Sequence, residues 1–462
     1  MFLRKEVKEV FGVEISGSGK LDAMIEKWYK ITAGEPYWLD KDDDIKSINF
    51  AQYINDVTSG LVTLDIGISL PETPRGLYLQ NVADYLLQKI DEKVSDALGN
   101  AGIMFKANGV NVDYFYPGSF IPTDWDSNGN ILGCIFVTRK YIGKKVYTKF
   151  EYHRYEDSDA GNVYVISNRA YKNTTANSKG DPCSLTEVPE WADLAPDLWL
   201  ENIDIPLYAY YANPKPNFID KESPLKLPIW ANCTEELRDL DIAWSRKSTE
   251  VEDSKHMTFI PQQAIMYAQQ HNIKLPRFLK GLQMSGDLTK ENKVDEHVAT
   301  LLTEQRISDI NSNLAMISTK LGYDQGFFVL NEKTGAMTAT QVEADDQSTI
   351  RTIKNLRHPL RDAIIKLLYG ASKFADLYTE IPAEQWTNTY AEMKEELADA
   401  FNFGDITYSF EEDKLSWWKY RVQGDVPPWM YYVKFEGMSE EEAKAMVKEA
   451  EPKEPTLFGQ EE

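Results

Sequence analysis

The chain has 462 residues, 42% of them hydrophobic and 12% aromatic, and a formal net charge of −23 at pH 7. This apolar content excludes a disordered chain, and the length allows roughly two to four domains. The charge argues against a tight duplex-DNA binder, because phosphate affinity comes from Lys and Arg. We expect neither a membrane-spanning segment nor a signal peptide, because the sequence contains no apolar run of the required length.

The catalytic and metal-binding motifs that the sequence approaches are all incomplete. Gly19-Lys20 resembles the end of a phosphate-binding loop, but Leu21 stands where Ser or Thr is required. Asp124–Gly129 resembles the start of a calcium loop, but the twelfth position is Ile135 instead of Glu. The cysteines and histidines are too scattered for a disulfide framework or a zinc site. We therefore expect no enzyme activity and no cofactor.

The first hundred residues predict two helices with a strand between them. Residues 20–33 place apolar side chains on one helical face, and 77–98 form an amphipathic pattern that ends at Gly99-Asn100. The β-branched residues of 60–70 predict a strand.

Short alternating segments with turn signals follow in residues 102–210 and predict an antiparallel meander. Asn128-Gly129 predicts a hairpin turn, because both residues tolerate positive φ. Residues 206–217 read as an extended segment that prolines interrupt.

Two long polar helices are predicted next, one from Thr234 and one from near Val298 to a stop at Gly322. The first carries a predicted i,i+4 pair, Arg246 with Glu250, and has so few apolar residues that it either lies solvated or packs against copies of itself.

After a loop or hairpin, Thr340 and Glu343 suggest a capping box for a helix of about 30 residues. Pro359 predicts a kink or break in this helix. A last strand is expected within 403–413, and a helix over 439–450, where Ser439 and Glu442 form a second capping box.

One motif is specific enough to suggest a family. Residues 335–343 read Gly-Ala-Met-Thr-Ala-Thr-Gln-Val-Glu, and Gly326-Phe327-Phe328 precedes them. This stretch resembles the "G-x-F-x-F … G-x-x-TATEV" pattern of portal proteins of tailed bacteriophages, in particular siphophages of Gram-positive hosts, although Gln341 replaces the usual acid. Further resemblances follow in the family's order, at KWYK, FIPTDWDSNGNILGCIFV, KFEYHRY, YVISNRAYK, SPLKLPIW with ELRDLDIAWSRKSTEVE, and GMSEEEAKAMVKEA.

The resemblance implies an α+β portal fold with an α/β wing, a two-helix stem, a small α/β clip, a tunnel loop and a helical C-terminal crown. By order along the chain, the parts would be the wing (1–233 and 340–412, the latter with the long kinked helix), stem helix 1 (234–257), the clip (258–299), stem helix 2 (300–321), the tunnel loop (322–339), and the crown with an acidic tail (413–462).

The function that the resemblance implies is a ring of twelve subunits, a channel at one capsid vertex through which the viral genome is packaged and ejected. Its partners would be the terminase large subunit, later the head-tail adaptor, and the major capsid and scaffolding proteins. Double-stranded DNA would pass through without sequence specificity. The protein would be assembled in the host cytoplasm and reside in the virion.

The resemblance also indicates two sets of functional residues. Those facing DNA in the tunnel loop would be Gln325, Asn331, Glu332, Lys333 and Thr334. Those meeting partners at the clip would be Lys274, Arg277 and Lys280, for which an ordinary solvated surface is an equal alternative.

Two alternative functions stay open. The first is a carboxylate- and metal-dependent phage hydrolase, for which Glu343, Asp345 and Asp346 form the nearest cluster of acids, although acids at a helix start also stabilise the helix dipole. The second is a monomeric virion adaptor protein. Ring formation distinguishes the portal from both.

Overall fold

The computed structural model describes a mixed α+β protein, as the sequence predicts. The residues it describes are 3–15, 19–39, 45–158, 161–176, 178–253, 257–261, 266, 270–271, 279–282, 295–297, 302–330, 339–377, 389–404, 427–436 and 439–450. They belong to two compact units, Met1–Phe403 and Gly404–Glu462.

Helices occur in both units. Their bounds are α1 Leu3–Phe11, α2 Gly19–Thr32, α3 Phe50–Val62, α4 Pro74–Leu87, α5 Ile90–Leu98, α6 Thr234–Asp253, α7 Thr303–Leu321, α8 Ala339–Ala375, α9 Tyr390–Glu396, α10 Pro428–Glu436 and α11 Glu440–Ala450. Short 3₁₀ turns cover Leu185–Glu187, Pro189–Trp191 and Ala231–Cys233.

The described strands all lie in the first unit. Their bounds are β1 Gly67–Ile68, β2 Ile103–Asn108, β3 Asn111–Phe115, β4 Phe120–Trp125, β5 Ile131–Ile142, β6 Lys145–Ser158, β7 Gly161–Asn173, β8 Asp181–Cys183, β9 Asp197–Leu200, β10 Ala209–Tyr211, β11 Met257–Pro261, β12 Leu279–Leu282, β13 Asp295–His297 and β14 Phe401–Asn402.

The antiparallel region expected over 102–210 is confirmed and forms two sheets. One sheet has the order β4-β5-β6-β7-β8, with β9 also paired to β7, and the other has the order β10-β2-β3. The Asn128-Gly129 turn joins β4 to β5, and only Gly129 adopts a positive φ, of 81°. Asp126 closes this turn, because its carboxylate accepts backbone N–H groups of Asn128 and Asn130 at 2.9 and 2.8 Å.

Two expectations for the first hundred residues are wrong. The strand predicted over 60–70 is reduced to the two residues of β1, because residues 60–62 complete α3 and a turn at 63–66 follows, in which the Ile66 N–H donates to the Thr63 carbonyl at 3.1 Å. Val62 is the residue of this segment that α3 buries, on the same helical face as Ile54 and Thr58, which precede it at intervals of four residues. The single helix predicted over 77–98 is two helices, because the backbone leaves helical geometry at Lys89.

Helix α8 runs through the core of the first unit. It contacts α3, α4, α9, β2 and β10, and its buried side chains include Ile353, Leu360, Ile364 and Leu368. The helix continues across Pro359, so the predicted break does not occur. Burial on both sides of the proline offsets the backbone hydrogen bond that it cannot donate. Thr340 lies inside this helix and is therefore not its N-cap.

The second unit is helical where it is described. Helix α11 begins directly after Ser439, as predicted, and the Ser439 carbonyl accepts the Ala443 N–H at 3.0 Å. The strand expected within 403–413 is not found at its start, where β14 ends at Asn402. The rest of that segment lies outside the described residues.

Candidate functional site: a polar helix pair and the turn that follows it

Helices α6 and α7 lie antiparallel. The Glu250 carboxylate accepts from the Arg306 guanidinium at 2.8 Å, and at the other end of the pair Lys320 binds Glu236. The two ion pairs set one common register along both helices. Glu250 therefore pairs across the helices and not with Arg246, as the sequence had suggested. Its pKa is lowered chiefly by the hydrogen bond from Arg306.

Apolar side chains fill the seam of the pair. On α6, Leu237, Leu240 and Ala243 are buried; on α7 the buried apolar residues are Ile310, Leu314, Ile317 and Leu321. Both sets recur at intervals of three and four residues, so each helix turns one stripe inwards. Helix α6 thus packs on its own chain, an arrangement that its sparse apolar content had not indicated.

The outward faces of the pair are polar and charged. The exposed charged side chains are Glu235, Arg238, Asp239, Arg246, Glu304 and Asp309. Two large apolar side chains interrupt this surface: Trp244 is 38% exposed and Met316 is 50% exposed. A helix face of this kind is stable in water without a further partner from the same chain.

A buried carboxylate ties the pair to the N-terminal part of the unit. Asp241 of α6 is buried and accepts from the Trp38 indole N–H at 2.9 Å and from the Ile48 backbone N–H at 3.0 Å. Burial raises the pKa of Asp241, while these two donors oppose the rise. One turn further along, the Ser245 hydroxyl accepts the Lys46 N–H at 2.9 Å.

Helix α7 ends as the sequence predicts. Gly322 has φ 89°, the left-handed conformation that closes a helix and that residues with a Cβ rarely adopt. The Lys215 ammonium donates to the Leu321 carbonyl at 2.9 Å and so caps a carbonyl that the helix leaves unpaired. The Thr352 hydroxyl of α8 donates to the Gly322 carbonyl at 2.6 Å.

An aromatic cluster fixes the turn after α7, which we call the anchor turn (residues 323–330). Phe328 is 8% exposed and packs edge-on against Phe50 of α3, with ring centroids 5.3 Å apart, and against Tyr53 at 6.0 Å. The buried Tyr323 hydroxyl bonds Thr58 of α3 at 2.5 Å. These contacts hold the start of the predicted tunnel loop against helix α3.

The anchor turn also folds back onto α7. The Asn311 side chain accepts the Leu330 N–H and donates to the Leu330 carbonyl, both at 3.0 Å. Of the predicted DNA-facing residues, Gln325 lies in this turn and is exposed. The other four, at positions 331–334, lie outside the described residues, as do the side chains of the acidic cluster at 343–346.

Between α6 and α7 lies a small mixed sheet. Strand β11 pairs parallel with β12 and antiparallel with β13. The structure places the end of α6 at Asp253 and a strand from Met257, so the helix is shorter than the predicted 234–257. Of the predicted clip residues, Lys280 is in β12 opposite Phe259, and Lys274 and Arg277 lie outside the described residues.

A buried ionic cluster links the six-stranded sheet to the sheet β10-β2-β3, and it was not predicted from the sequence. Glu151 of β6 binds the ammonium of Lys106 from β2, that of Lys149 at 2.7 Å, and the His153 ring at 2.7 Å. The His153 ring also bonds Tyr164 at 2.8 Å. Burial opposes ionisation of Glu151, but the two lysines hold its pKa well below its usual range. Burial lowers the pKa of His153.

This cluster is closed to a substrate, because its carboxylate, imidazole and ammonium groups are all buried. Within the described ranges, no group of three or more His, Cys, Asp or Glu side chains is arranged to hold a metal ion. Over the same ranges, no helix is long and apolar enough to cross a bilayer.

Comparisons with known proteins add no family assignment. No model of a known protein family matches the chain, and no curated protein matches it.

Proposed function

We propose that the chain is the subunit of a phage portal: a ring, with twelve copies expected, that forms the channel for the viral genome at one capsid vertex. In this proposal the ring binds the terminase large subunit during packaging and the head-tail adaptor afterwards. It contacts the capsid and scaffolding proteins, and it resides in the virion after assembly in the host cytoplasm.

The observation that carries the proposal is the antiparallel pair of α6 and α7. The pair brackets a small sheet, has polar outward faces and leads into the anchor turn, and the 37-residue helix α8 follows from Ala339. This order corresponds to stem, clip, stem, tunnel loop and wing in the resembled family. A helix pair with a closed inner seam and charged outer faces suits a channel wall, where each face meets a neighbour or water.

The overall charge is compatible with the same role. At −23 per chain, a ring would repel phosphate on average, so a duplex could slide through it without being held.

The test is the particle mass of the purified protein, measured by mass photometry with negative-stain imaging of the same sample. Twelve chains of 52.9 kDa give a ring of about 635 kDa, with a central hole wide enough for a DNA duplex. A monodisperse species of about 53 or 106 kDa, stable across salt and protein concentration, would contradict the proposal. The adaptor and hydrolase alternatives would then be separated by a metal-dependent nuclease assay.

A further inference from the structure

A cavity of about 480 Å³ lies in the first unit, between the β4–β5 turn, the chain around β10 and helix α8. This volume falls within the range of about 300–1,000 Å³ that is usual for small-molecule sites. Tyrosines and prolines form much of its wall, including Tyr208, Tyr210 and Tyr390, and two lysines, Lys226 and Lys366, also line it.

The acidic groups in the wall already have donors. Asp126 accepts from the backbone and amide side chain of its own turn, which lower its pKa. Asp204 accepts from the Tyr369 hydroxyl at 3.0 Å and from the Tyr390 N–H at 2.7 Å. Both carboxylates therefore have their hydrogen-bond donors within the protein.

In contrast to the two carboxylates, the two lysine ammonium groups have no partner within the described residues. Lys366 of α8 is half-buried, and within the described ranges its ammonium has no hydrogen bond or ion pair. The nearest acid on its helix, Asp362, binds Lys394 at 3.0 Å instead. Burial lowers the pKa of Lys366, and the charges of Asp362 and Asp126 only partly oppose this. Lys226 is also half-buried, and its ammonium likewise lacks a partner among these residues.

The hydroxyls of Tyr208 and Tyr210 are also committed. Tyr208 donates to the Ile131 carbonyl at 3.2 Å and Tyr210 to the Ala101 carbonyl at 2.6 Å. The rings of Tyr208 and Tyr210 therefore offer mainly their apolar surfaces to the cavity, and the two ammonium groups are the charged donors still available in its wall. A half-buried ammonium without a partner is costly, and an anion offsets that cost.

We propose that this cavity binds a small organic anion, with its phosphate or carboxylate group at the Lys366 ammonium and its body against Tyr208 and Tyr210. This site is independent of the portal proposal, because it needs neither the ring nor the helix pair. Phosphate and carboxylate ligands share the recognition chemistry, and the choice of probes separates them.

The first experiment is calorimetric titration of the full chain with inorganic phosphate, adenosine 5′-monophosphate and glutarate. We expect saturable binding of at least one probe, and a loss of about tenfold or more in its affinity in K366M, because a charged hydrogen bond is removed. K226M should weaken the same probe. The control K144M removes an exposed lysine at the β5–β6 hairpin and should leave the affinity unchanged.

The outcomes assign or reject the site. Binding of the two phosphate probes without glutarate indicates a phosphate ligand, and the reverse indicates a carboxylate ligand. No saturable binding of any probe up to about 10 mM, which corresponds to less than about 3 kcal/mol, would overturn the proposal. Undiminished binding in both K366M and K226M would overturn it equally.

A second readout avoids the risk that K366M fails to fold. Acetylation of wild-type Lys366 by acetic anhydride at pH 8 is followed by mass spectrometry, with Lys144 as the internal reference. A probe bound at the cavity should slow acetylation of Lys366 about tenfold at saturation and leave Lys144 unaffected. Equal reactivity of Lys366 with and without a saturating probe would show that the anion binds elsewhere.

Discussion

Replacing Phe328 by alanine tests whether the aromatic cluster holds the anchor turn. An aromatic side chain buries roughly 150–250 Å², and truncation to alanine loses about 100 Å² of that area, or about 2.5 kcal/mol. Loss of the edge-on contact with Phe50 and the tilted contact with Tyr53 adds about 0.5 kcal/mol. The sum of about 3 kcal/mol is at the lower end for Phe-to-Ala changes, which is reasonable because the half-exposed Tyr53 can move into the gap.

The assay is hydrogen exchange of the anchor turn, followed by mass spectrometry. The Phe327 and Val329 N–H groups donate within the turn at 3.1 and 3.2 Å, and the Leu330 N–H donates to Asn311. A loss of about 3 kcal/mol accelerates exchange of these amides about 100-fold. Phe328→Leu keeps most of the volume, so it should cost about 1 kcal/mol and give roughly fivefold acceleration.

Two results would refute this account. Exchange in Phe328→Ala within about twofold of wild type would mean that Asn311 alone holds the turn. Equal acceleration in the alanine and leucine variants would mean that ring geometry, and not buried area, determines the stability. Peptides from the middle of α7 serve as the internal control and should exchange at wild-type rates in both variants.

Three further predictions concern the contact between α8 and α3, two glycines, and the buried ionic cluster. Arg357 of α8 donates to two carbonyls at the end of α3, at 3.0 and 2.9 Å. The variant R357M should therefore lower the free energy of unfolding by about 2 kcal/mol in urea titrations. The control K354M, on the exposed side of the same helix, should change it by less than about 0.5 kcal/mol. The variant G322A should lower the free energy of unfolding by about 1–2 kcal/mol because the φ of Gly322 is 89°. Gly60 lies inside helix α3, where an added Cβ meets no atom within 4 Å. The variant G60A should therefore raise the free energy of unfolding by about 0.5–1 kcal/mol. Folding lowers the pKa of His153, so the unfolded chain binds more protons and stability falls as the pH drops below the unfolded value near 6.5. The variant H153F should flatten the dependence of the thermal midpoint on pH between about 7 and 5. An unchanged slope would show that His153 is not the source of this dependence.

The sequence predicted the elements whose pattern is local. The helix over 439–450, the end of α7 at Gly322 and the Asn128-Gly129 hairpin each depend on a few neighbouring residues, and each was found where expected. The strand expected over 60–70 is reduced to two residues because the buried Val62 belongs to α3 and a turn at 63–66 follows, so the tertiary packing of α3 outweighs local propensity at the start of the segment.

The buried ionic cluster shows where sequence reasoning lacked information. Lys149, Glu151 and His153 are two residues apart on β6, so a strand prediction already places them on one face. The shared face of these three residues was therefore predictable from the sequence. Lys106 comes from a different sheet, and a single sequence does not indicate which strands lie opposite each other. The cavity at Lys366 was missed for the same reason, since its wall combines four distant segments.

The packing of α6 on α7 limits which surfaces of the pair could contact a neighbouring subunit in the proposed ring. Since α6 packs on α7 of its own chain, its inner stripe is already occupied, and any contact that the pair makes with a neighbouring copy in the proposed ring uses the outward faces. On those faces the large apolar residues are Trp244 and Met316, one on each helix. The register of the two ion pairs places them about one helical turn apart. Polar faces with a few apolar anchors are typical of specific interfaces, in which such anchors carry most of the binding energy.

In the proposed ring, replacing Trp244 by glutamate should therefore dissociate the subunits and leave each of them folded. An exposed residue contributes little to the fold of the single chain, whereas a buried tryptophan at an interface is worth about 2–4 kcal/mol per contact. In mass photometry we expect the ring of about 635 kDa for wild type and a species of about 53 kDa for W244E, with an unchanged circular dichroism spectrum. The matched control is S248E, one turn further along α6, which adds the same charge at an exposed polar position. A W244E ring as stable as wild type would mean that neighbouring subunits meet through other surfaces. Dissociation of both variants would mean that added charge, and not the lost aromatic contact, is responsible.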